Sequence, residues 1–463
     1  MAEKHVEENK MGTVPVPKIL LSMGIPMILS MVLQACYNIV DSIFVAGIPD
    51  SEEIVHAGEK AMNALTLAFP VQMLIVALSI GTGVGVNALL ARTLGQKDSE
   101  KVNRIAGNGV FLGLIIYVAF VLFGLFGIEA YLKTQTADAV VLGMSGTYLR
   151  ICTLLCIGNI MFAIYEKLLQ STGKAIFSTT SQIAGALTNI VLDPIFIYGW
   201  FGLPAMGVAG AAWATVIGQW VSMIAGGVLH YTKNKEVQSG LCYLKPNGRI
   251  IKEIYRIGLP AIIMQALMSF MTYGINLIFK AVSDGAVTAY GIFYKIQQFI
   301  FFAGFGLRDA ITPIVSFNYG MGEKQRVKQG IRYGLFYTEV IMVLGIIVLE
   351  IFAEPLAGAF HLTPETTNLC VLAIRIIAPG FVFAGGNIAL QGVFQALECG
   401  LGSLVVSLLR LLVVVLPLAW IFAKLANAST LIWFAFPIAE AVAVFVAIGF
   451  MLRVRKRLEK ECS

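Results

Sequence analysis

The sequence predicts an all-α membrane protein: twelve transmembrane helices in two pseudo-symmetric six-helix lobes. Three observations predict it. Apolar residues make up 58% of the chain and charged residues 13%, about half the charged fraction of an ordinary soluble domain. Apolar runs such as 110–126, 335–352 and 404–422 are each close to the length that crosses about 30 Å of hydrocarbon. The chain is also written twice. Gly24-Ile25-Pro26-Met27-Ile28 returns 234 residues later as Gly258-Leu259-Pro260-Ala261-Ile262, and the basic turn from Gly95 to Val102 reappears, two residues shorter, from Gly322 to Val327. Arg150 precedes Gln170 by twenty residues, as Arg375 precedes Gln395. Two homologous halves imply two bundles facing one another across a central cavity.

Charge and turn residues punctuate the apolar segments into six helices per half. In the first half, helix 1 (17–47) carries Pro26 and Asp41, and helix 2 (61–93) carries Gly81-Thr82-Gly83-Val84-Gly85. That glycine run lies inside an apolar segment with no strand before it, so small-residue helix packing explains it better than a nucleotide loop. Helix 3 (101–125) follows the basic turn, and helix 4 (140–171) holds Arg150 and Glu166. Helix 5 (175–198) carries Asn189, Asp193 and Pro194, and helix 6 is 207–230. The second half gives 250–283, 286–319 with Lys295, Arg308 and Asp309, 327–352 with Glu339, 366–397 with Arg375, 403–424 with Arg410, and 430–452 with Glu440. The organisation is thus a lobe over 1–230, a polar linker over 231–249 and a lobe over 250–463.

Charge sets the orientation. The N-terminus, the 2–3, 4–5, 6–7 and 8–9 connections and the C-terminus hold 24 of the 33 Lys and Arg; the opposite side holds Lys60, Lys133, Lys280 and Lys424. The positive-inside rule places both termini in the cytoplasm of a multi-pass cell-membrane protein. The net charge of +6 is therefore a topology signal, and nucleic-acid binding is not implied. Residues 1–18 are polar and acidic, so no cleavable signal peptide is expected. The seven cysteines are scattered; Cys152 and Cys156 share a helix face without a metal-ligand partner, which points to packing.

Enzyme classes find no support. The sequence has no Gly-x-x-x-x-Gly-Lys-Ser/Thr for ATP hydrolysis and no Gly-x-Ser-x-Gly. The four histidines, His5, His56, His230 and His361, form no cluster from which a metal site or triad can be drawn. What remains is a set of ionisable groups at membrane depth, where charge is costly and its retention points to function.

Asn189 precedes Asp193 by four residues and shares its helix face. Pro194 lacks an N–H and clashes with the preceding turn, so a kink and a released carbonyl near residue 190 are expected. Carboxylate, carboxamide and loosened carbonyl make an oxygen-rich nook that can hold a proton or a small hard cation such as Na⁺. The alternative is an aspartate that caps a broken helix or pairs with arginine. Asp41 lies fifteen residues beyond Pro26, roughly 22 Å along the axis at 1.5 Å per residue, at a depth similar to that of Asp193. In one shared pocket the two acids repel each other until a proton or cation intervenes. An interfacial place near the helix end is the other reading of Asp41.

The chain resembles the multidrug and toxic compound extrusion (MATE) family. The resemblance is carried by Pro26, Tyr37-Asn38, Asp41, Leu94-Gly95-Gln96, Gln170-Ser171-Thr172-Gly173, Leu192-Asp193-Pro194, residues 207–215 and Gly258-Leu259-Pro260. It implies an efflux antiporter that exports organic, often cationic compounds in exchange for H⁺ or Na⁺, with no cofactor. In the DinF-like branch the coupling residues match Asp41, Asn189 and Asp193, with Thr215 as a further match, and the helix 1 proline that bends in the family's switch matches Pro26. The same Asp41, Asn189 and Asp193 would hold Na⁺. The NorM-like branch uses acids in helices 7 and 10; here helix 7 runs from Ala261 to Phe279 without an acid and helix 10 offers only Arg375 as a charge before Glu398.

An apolar cavity with aromatic and methionine walls suits flat cations of varied shape. Its candidates are Gln34, Tyr37, Met161, Tyr165, Gln265, Met268, Met271, Tyr273 and Phe293. One chain holding both lobes needs no partner chain, so a functional monomer in contact with membrane lipids is expected. Two other functions stay open: a lipid or lipid-linked oligosaccharide flippase, and a membrane-embedded enzyme.

Overall fold

A computed structural model describes residues 9–50, 56–136, 138–358, 360 and 363–460. His5, His361 and Cys462 lie outside the described residues. Among those described, every regular element is helical. Following the chain, α1 is Val16–Ala46, α2 Ala57–Gly95 and α3 Ser99–Phe126. Helix α4 comes in two pieces, Ala139–Leu154 and Ile157–Ser171, followed by α5 (Ala175–Tyr198) and α6 (Val208–Lys233). Next are α7 (Gly248–Lys280), α8 (Asp284–Gly320), α9 (Lys324–Gly358), α10 (Pro364–Ala396), α11 (Gly400–Phe422) and α12 (Ala428–Lys456). Among the described residues, eleven helices are long and apolar enough to cross a membrane by themselves, and the bent α4 pair makes twelve.

Helix starts obey local chemistry. Asp98 accepts from the Lys101 N–H, Asp138 from those of Val140 and Val141, Ser283 from Ala286 and Thr363 from Thr366, each relieving an orphan donor of the first turn. The N–H groups of Val141 and Val140 hold the Asp138 carboxyl below its usual range.

The expected continuous helix 4 is instead bent by 44° between its two pieces. Side chains take up the carbonyls freed at the break: Tyr117 Oη donates to the Leu154 carbonyl at 3.1 Å and Trp220 Nε1 to that of Leu155 at 3.1 Å. Side-chain capture of carbonyls is a known cause of helix breaks. The proline helices behave differently, because α1 runs on through Pro26 and α5 through Pro194 without interruption.

The chain divides into two compact units. One comprises Met1–Met31, Ala91–Lys97 and Leu259–Ser463. Its core is aromatic, with Phe279 edge-on to Trp433 at 5.0 Å and Phe301 to Phe381 at 4.9 Å. Glycines set its close crossings: a Cβ on Gly306 would sit 2.7 Å from the Ile28 nitrogen, so α1 and α8 touch backbone to backbone. Arg326 ties down the start of the chain, donating to the carbonyls of Met11 (2.9 Å) and Val14 (2.6 Å) and to Asn318 Oδ1 (2.8 Å).

The other unit comprises Val32–Leu90 and Asp98–Gly258. Its connection 231–249 does not hang free. Asn103 Oδ1 accepts from the Gln238 N–H at 2.7 Å and Asn108 Oδ1 from the Asn247 N–H at 2.8 Å. A Cβ on Gly107 would lie 2.1 Å from the Tyr243 carbonyl oxygen, so the strap presses against α3. Asn103 and Asn108 are buried, and their spacing of five residues along α3 sets where the strap is held.

Replacing Asn108 by leucine strands the Asn247 N–H at the start of α7 and removes the second bond, to the Arg104 carbonyl. The expected cost is about 1–3 kcal/mol, read as a lower midpoint in detergent thermal unfolding; Asn108→Asp, which keeps the acceptor, should lose less.

Candidate functional site

The site grows from a close helix crossing. Gly185 of α5 and Gly218 of α6 meet so tightly that a Cβ on Gly185 would fall 1.8 Å from Ser222 Oγ and 2.4 Å from the Gly218 carbonyl oxygen. One turn further on, a Cβ on Gly218 would meet Asn189 Cβ at 3.0 Å, and near the far end Gly210 faces the Phe196 backbone at 2.5 Å. Backbones this close bring short polar side chains into register. Asn189 Nδ2 donates to Asp193 Oδ1 at 3.4 Å and to Thr215 Oγ1 at 3.5 Å.

Asp193 is fully buried and Asn189 is 3% exposed. Pro194 leaves the Ile190 carbonyl without its intrahelical donor on the same stretch of α5. From α1, the half-buried Asp41 brings its carboxyl within hydrogen-bonding reach of that of Asp193. Tyr37, one turn earlier on α1, lies beside both acids. The end of α5 is pinned to α1 by Tyr198, whose hydroxyl donates to the Phe44 carbonyl at 2.7 Å.

Three acceptors in this cluster have no donor: Asp41 Oδ1, Asp193 Oδ2 and Asn189 Oδ1 are all buried and unpartnered. A buried acceptor without a partner carries its full desolvation cost. Three such acceptors in one cluster, two of them from carboxyl groups, can be satisfied by a proton or a small cation. The donor set is all oxygen, as a proton or a hard monovalent cation requires. Among the described residues no group of three or more His, Cys, Asp or Glu could hold a metal ion, so a transition-metal centre does not fit here.

The sequence reading brought together Asp41, Asn189, Asp193 and Thr215, and the structure places all four in this cluster. It missed the neighbours on Asp41's other side. Gln72 of α2 donates to the Tyr148 hydroxyl at 3.1 Å and leans on Cys152 Sγ at 3.8 Å, and both partners stand within electrostatic reach of Asp41. Tyr148 and Cys152 sit four apart on α4, a helix-face signal that was legible for Cys152 and Cys156 but was read as packing alone. Both cysteines do belong to apolar clusters.

The other candidates spread out. Pro26 belongs to the compact unit that includes Leu259–Ser463, next to the α1–α8 glycine crossing. Gln34, half-buried on α1, accepts from Gln182 Nε2 at 3.0 Å. Met161, Met271 and Phe293 are buried in apolar cores. Gln265 and Met268 are half-buried on α7, Tyr273 is 67% exposed, and Tyr165 packs against His230 and Tyr231 near the end of α6. Lys167, inside the span expected for helix 4 but not among the charges singled out there, is 2% exposed and donates to Gln170 Oε1 at 2.9 Å.

The second-half charges are mostly self-contained. Arg410 stands in a π-helical stretch, Leu409–Val413, and donates from Nε (2.9 Å) and Nη2 (2.6 Å) to Glu440 Oε1. Glu440 Oε2 also accepts from Asn387 Nδ2 at 2.7 Å. Arg308 pairs with Asp309 at 2.8 Å. Lys295 and Arg375 are exposed, the latter bonded to Glu354, and so is Arg150 of the first half. Glu339 rests in a notch of α10, its oxygens 3.0 Å from where a Gly385 Cβ would stand.

Comparison with known proteins gives a consistent picture. The profile of the family described as MatE matches residues 26–195 and 260–421. Multidrug export protein MepA of Staphylococcus saprophyticus is 25% identical over 95% of this chain and 94% of its own. The Staphylococcus aureus protein of the same name is 26% identical over 97% and 96%. A solved outward-facing multidrug resistance MATE family transporter of the MOP superfamily is 25% identical, covers 99% of each chain and superposes with a TM-score of 0.90.

Two substitutions probe the architecture. Gly185→Val forces α5 and α6 apart at a contact with no room for a Cβ; about 1–3 kcal/mol of overpacking is expected, with a lower unfolding midpoint. Arg410→Met leaves Glu440 charged and unpaired in a site where the two side chains are 5% and 15% exposed, which costs about 3–5 kcal/mol. The double change Arg410→Met with Glu440→Gln should recover most of that loss in the same melt.

Proposed function

This chain belongs to the MatE family, and from that premise we propose that it is a secondary active multidrug exporter, moving organic, often cationic compounds outward in antiport with H⁺ or Na⁺. The observation that carries the coupling site is the trio of donorless buried acceptors on Asp41, Asp193 and Asn189. Thr215 completes the cluster through Asn189. An arriving proton or Na⁺ satisfies these oxygens and removes the repulsion between the two acids; its departure restores it. The ion here is cargo, and no cofactor takes part.

Drug contacts follow from α1. Tyr37 and Gln34 precede Asp41 by one and two turns on the same helix face, so an event at the acid reaches them through a rigid element. Neutralisation favours an α1 bent at Pro26 and a contracted first lobe, and the drug leaves as that state forms. Coupling needs only that ion and drug prefer opposite states, by about 1–3 kcal/mol. The remaining contacts are drawn from Tyr165, Gln265, Met268 and Tyr273, since Met161, Met271 and Phe293 are packed in apolar cores. The two sequence halves, 1–230 and 250–463, serve as the lobes, both termini are cytoplasmic, and the monomer is the working unit.

A flippase for anionic lipid-linked substrates would need uncommitted buried cations. Arg308, Arg410 and Lys167 are instead bonded to Asp309, Glu440 and Gln170, which supports export of cations over lipid flipping.

The test is ethidium efflux from proteoliposomes under imposed gradients. Asp193→Asn and Asp41→Asn keep the shape but remove an exchangeable charge, so gradient-driven efflux should fall by at least about tenfold while circular dichroism stays unchanged. Raising external Na⁺ at fixed pH, and lowering external pH without Na⁺, identifies the driving ion. Failure of either gradient to move any organic cation in the wild type would sink the antiport reading, and wild-type efflux in both aspartate variants would sink the site.

A further inference from the structure

A groove of ≈ 420 Å³ runs along α6, lined by Tyr165 of α4 and by Met223, Ile224, Gly227, Val228 and Tyr231. The α6 residues form two adjacent rows at the four-residue spacing of a helix face. Gly227 is the floor: a Cβ there would come 3.4 Å from the Tyr165 ring, so the missing side chain is what opens the trough. The walls face outward, with Ile224 56%, Val228 55% and Tyr231 60% exposed.

One end of this groove is built. Tyr165 and Tyr231 meet edge to face at 6.1 Å, with their hydroxyls within hydrogen-bonding reach. Behind them the buried His230 packs on Tyr165 at 5.7 Å and is fixed by Ser239 Oγ at 2.9 Å and Asn234 Nδ2 at 3.2 Å. Tyrosine pairs of this kind mark the headgroup level of a membrane. Immediately beyond, Lys233 and Lys235 are exposed and make no ion pair among the described residues. Lys174 is already engaged with the Lys233 carbonyl (2.9 Å), Asn234 Oδ1 (3.3 Å) and Glu236 (3.9 Å).

We infer that this face of α4 and α6 binds an anionic phospholipid, one acyl chain in the groove and the phosphate at Lys233 and Lys235. Charge complementarity selects the occupant. No carboxylate lines the groove, and two uncommitted ammonium groups at its aromatic end suit a phosphate diester. By the charge count this end lies at the cytoplasmic leaflet, where anionic lipids attract basic residues.

The test uses full-length protein in detergent, exposed to mixed micelles of phosphatidylglycerol and phosphatidylcholine, with bound lipid counted by native mass spectrometry. The wild type should retain phosphatidylglycerol preferentially. Lys233→Gln with Lys235→Gln should cut that preference by about tenfold or more and leave phosphatidylcholine retention unchanged. Gly227→Leu, which fills the trough, should lose both lipids; Ile224→Trp serves if that variant does not fold. Equal retention of the two lipids by the wild type, an unchanged preference in the lysine variant, or displacement of the lipid by ethidium would each overturn the assignment. These readouts are independent of transport, so the outcome stands apart from the antiport reading.

Discussion

Two carboxyl groups held face to face in an apolar surrounding cannot both stay charged without a neutralising partner, and the α4–α6 region is arranged around that constraint. The backbone contact of Gly185 with Gly218 places Asn189 between Asp193 and Thr215. The Tyr198 bond to Phe44 holds the α1 end where Asp41 reaches the same pocket. Each piece is ordinary helix packing, yet together they leave three acceptors open. Stability alone would close such a pocket with donors, as the Arg410–Glu440–Asn387 cluster closes its own carboxylate. The contrast between a carboxylate closed by two partners and a pair of acids with open oxygens distinguishes a structural ion pair from a site that exchanges its occupant.

Much of this was legible in sequence because membrane helices announce themselves through length and apolarity, and because Asn189 and Asp193 share a face by spacing alone. The helix spans agree with the structure to within a few residues. The break in α4 was not legible. Its cause is the pair Tyr117 and Trp220, which reach across from α3 and α6 to carbonyls freed at residues 154 and 155; no local pattern encodes a partner 37 or 65 residues away. The burial of Lys167 within helix 4 was not legible for a related reason: Gln170 and the gap left by Gly83, which give it a buried home, lie on its own and a neighbouring helix.

The strap between the two halves shows the same limit. Its polar composition reads as a solvated linker, and only the inward-facing Asn103 and Asn108 of α3 reveal that it is fixed. Buried asparagines on a helix otherwise rich in apolar residues were the available signal, since a buried carboxamide requires partners. A polar segment between two repeats is therefore better judged by what the neighbouring helices offer it than by its own composition.

The repeat also shows how far duplication constrains backbone and how little it constrains chemistry. The offset of 225 residues that relates Arg150 to Arg375 and Gln170 to Gln395 also relates Gly173 to Glu398. Both adopt left-handed backbone, at φ 82° and 57°. Glycine takes that conformation without cost; glutamate does not, at a penalty of order 1–2 kcal/mol. The first copy keeps glycine, and the second keeps a strained glutamate whose carboxylate pairs with Arg92, itself stacked over Tyr319 at 4.9 Å. The ion pair with Arg92 offsets the cost of holding a glutamate in that conformation. The turn geometry is thus shared by the two halves, while the charges placed on it belong to each half alone, as do the open acids of one unit and the closed Arg410–Glu440 pair of the other.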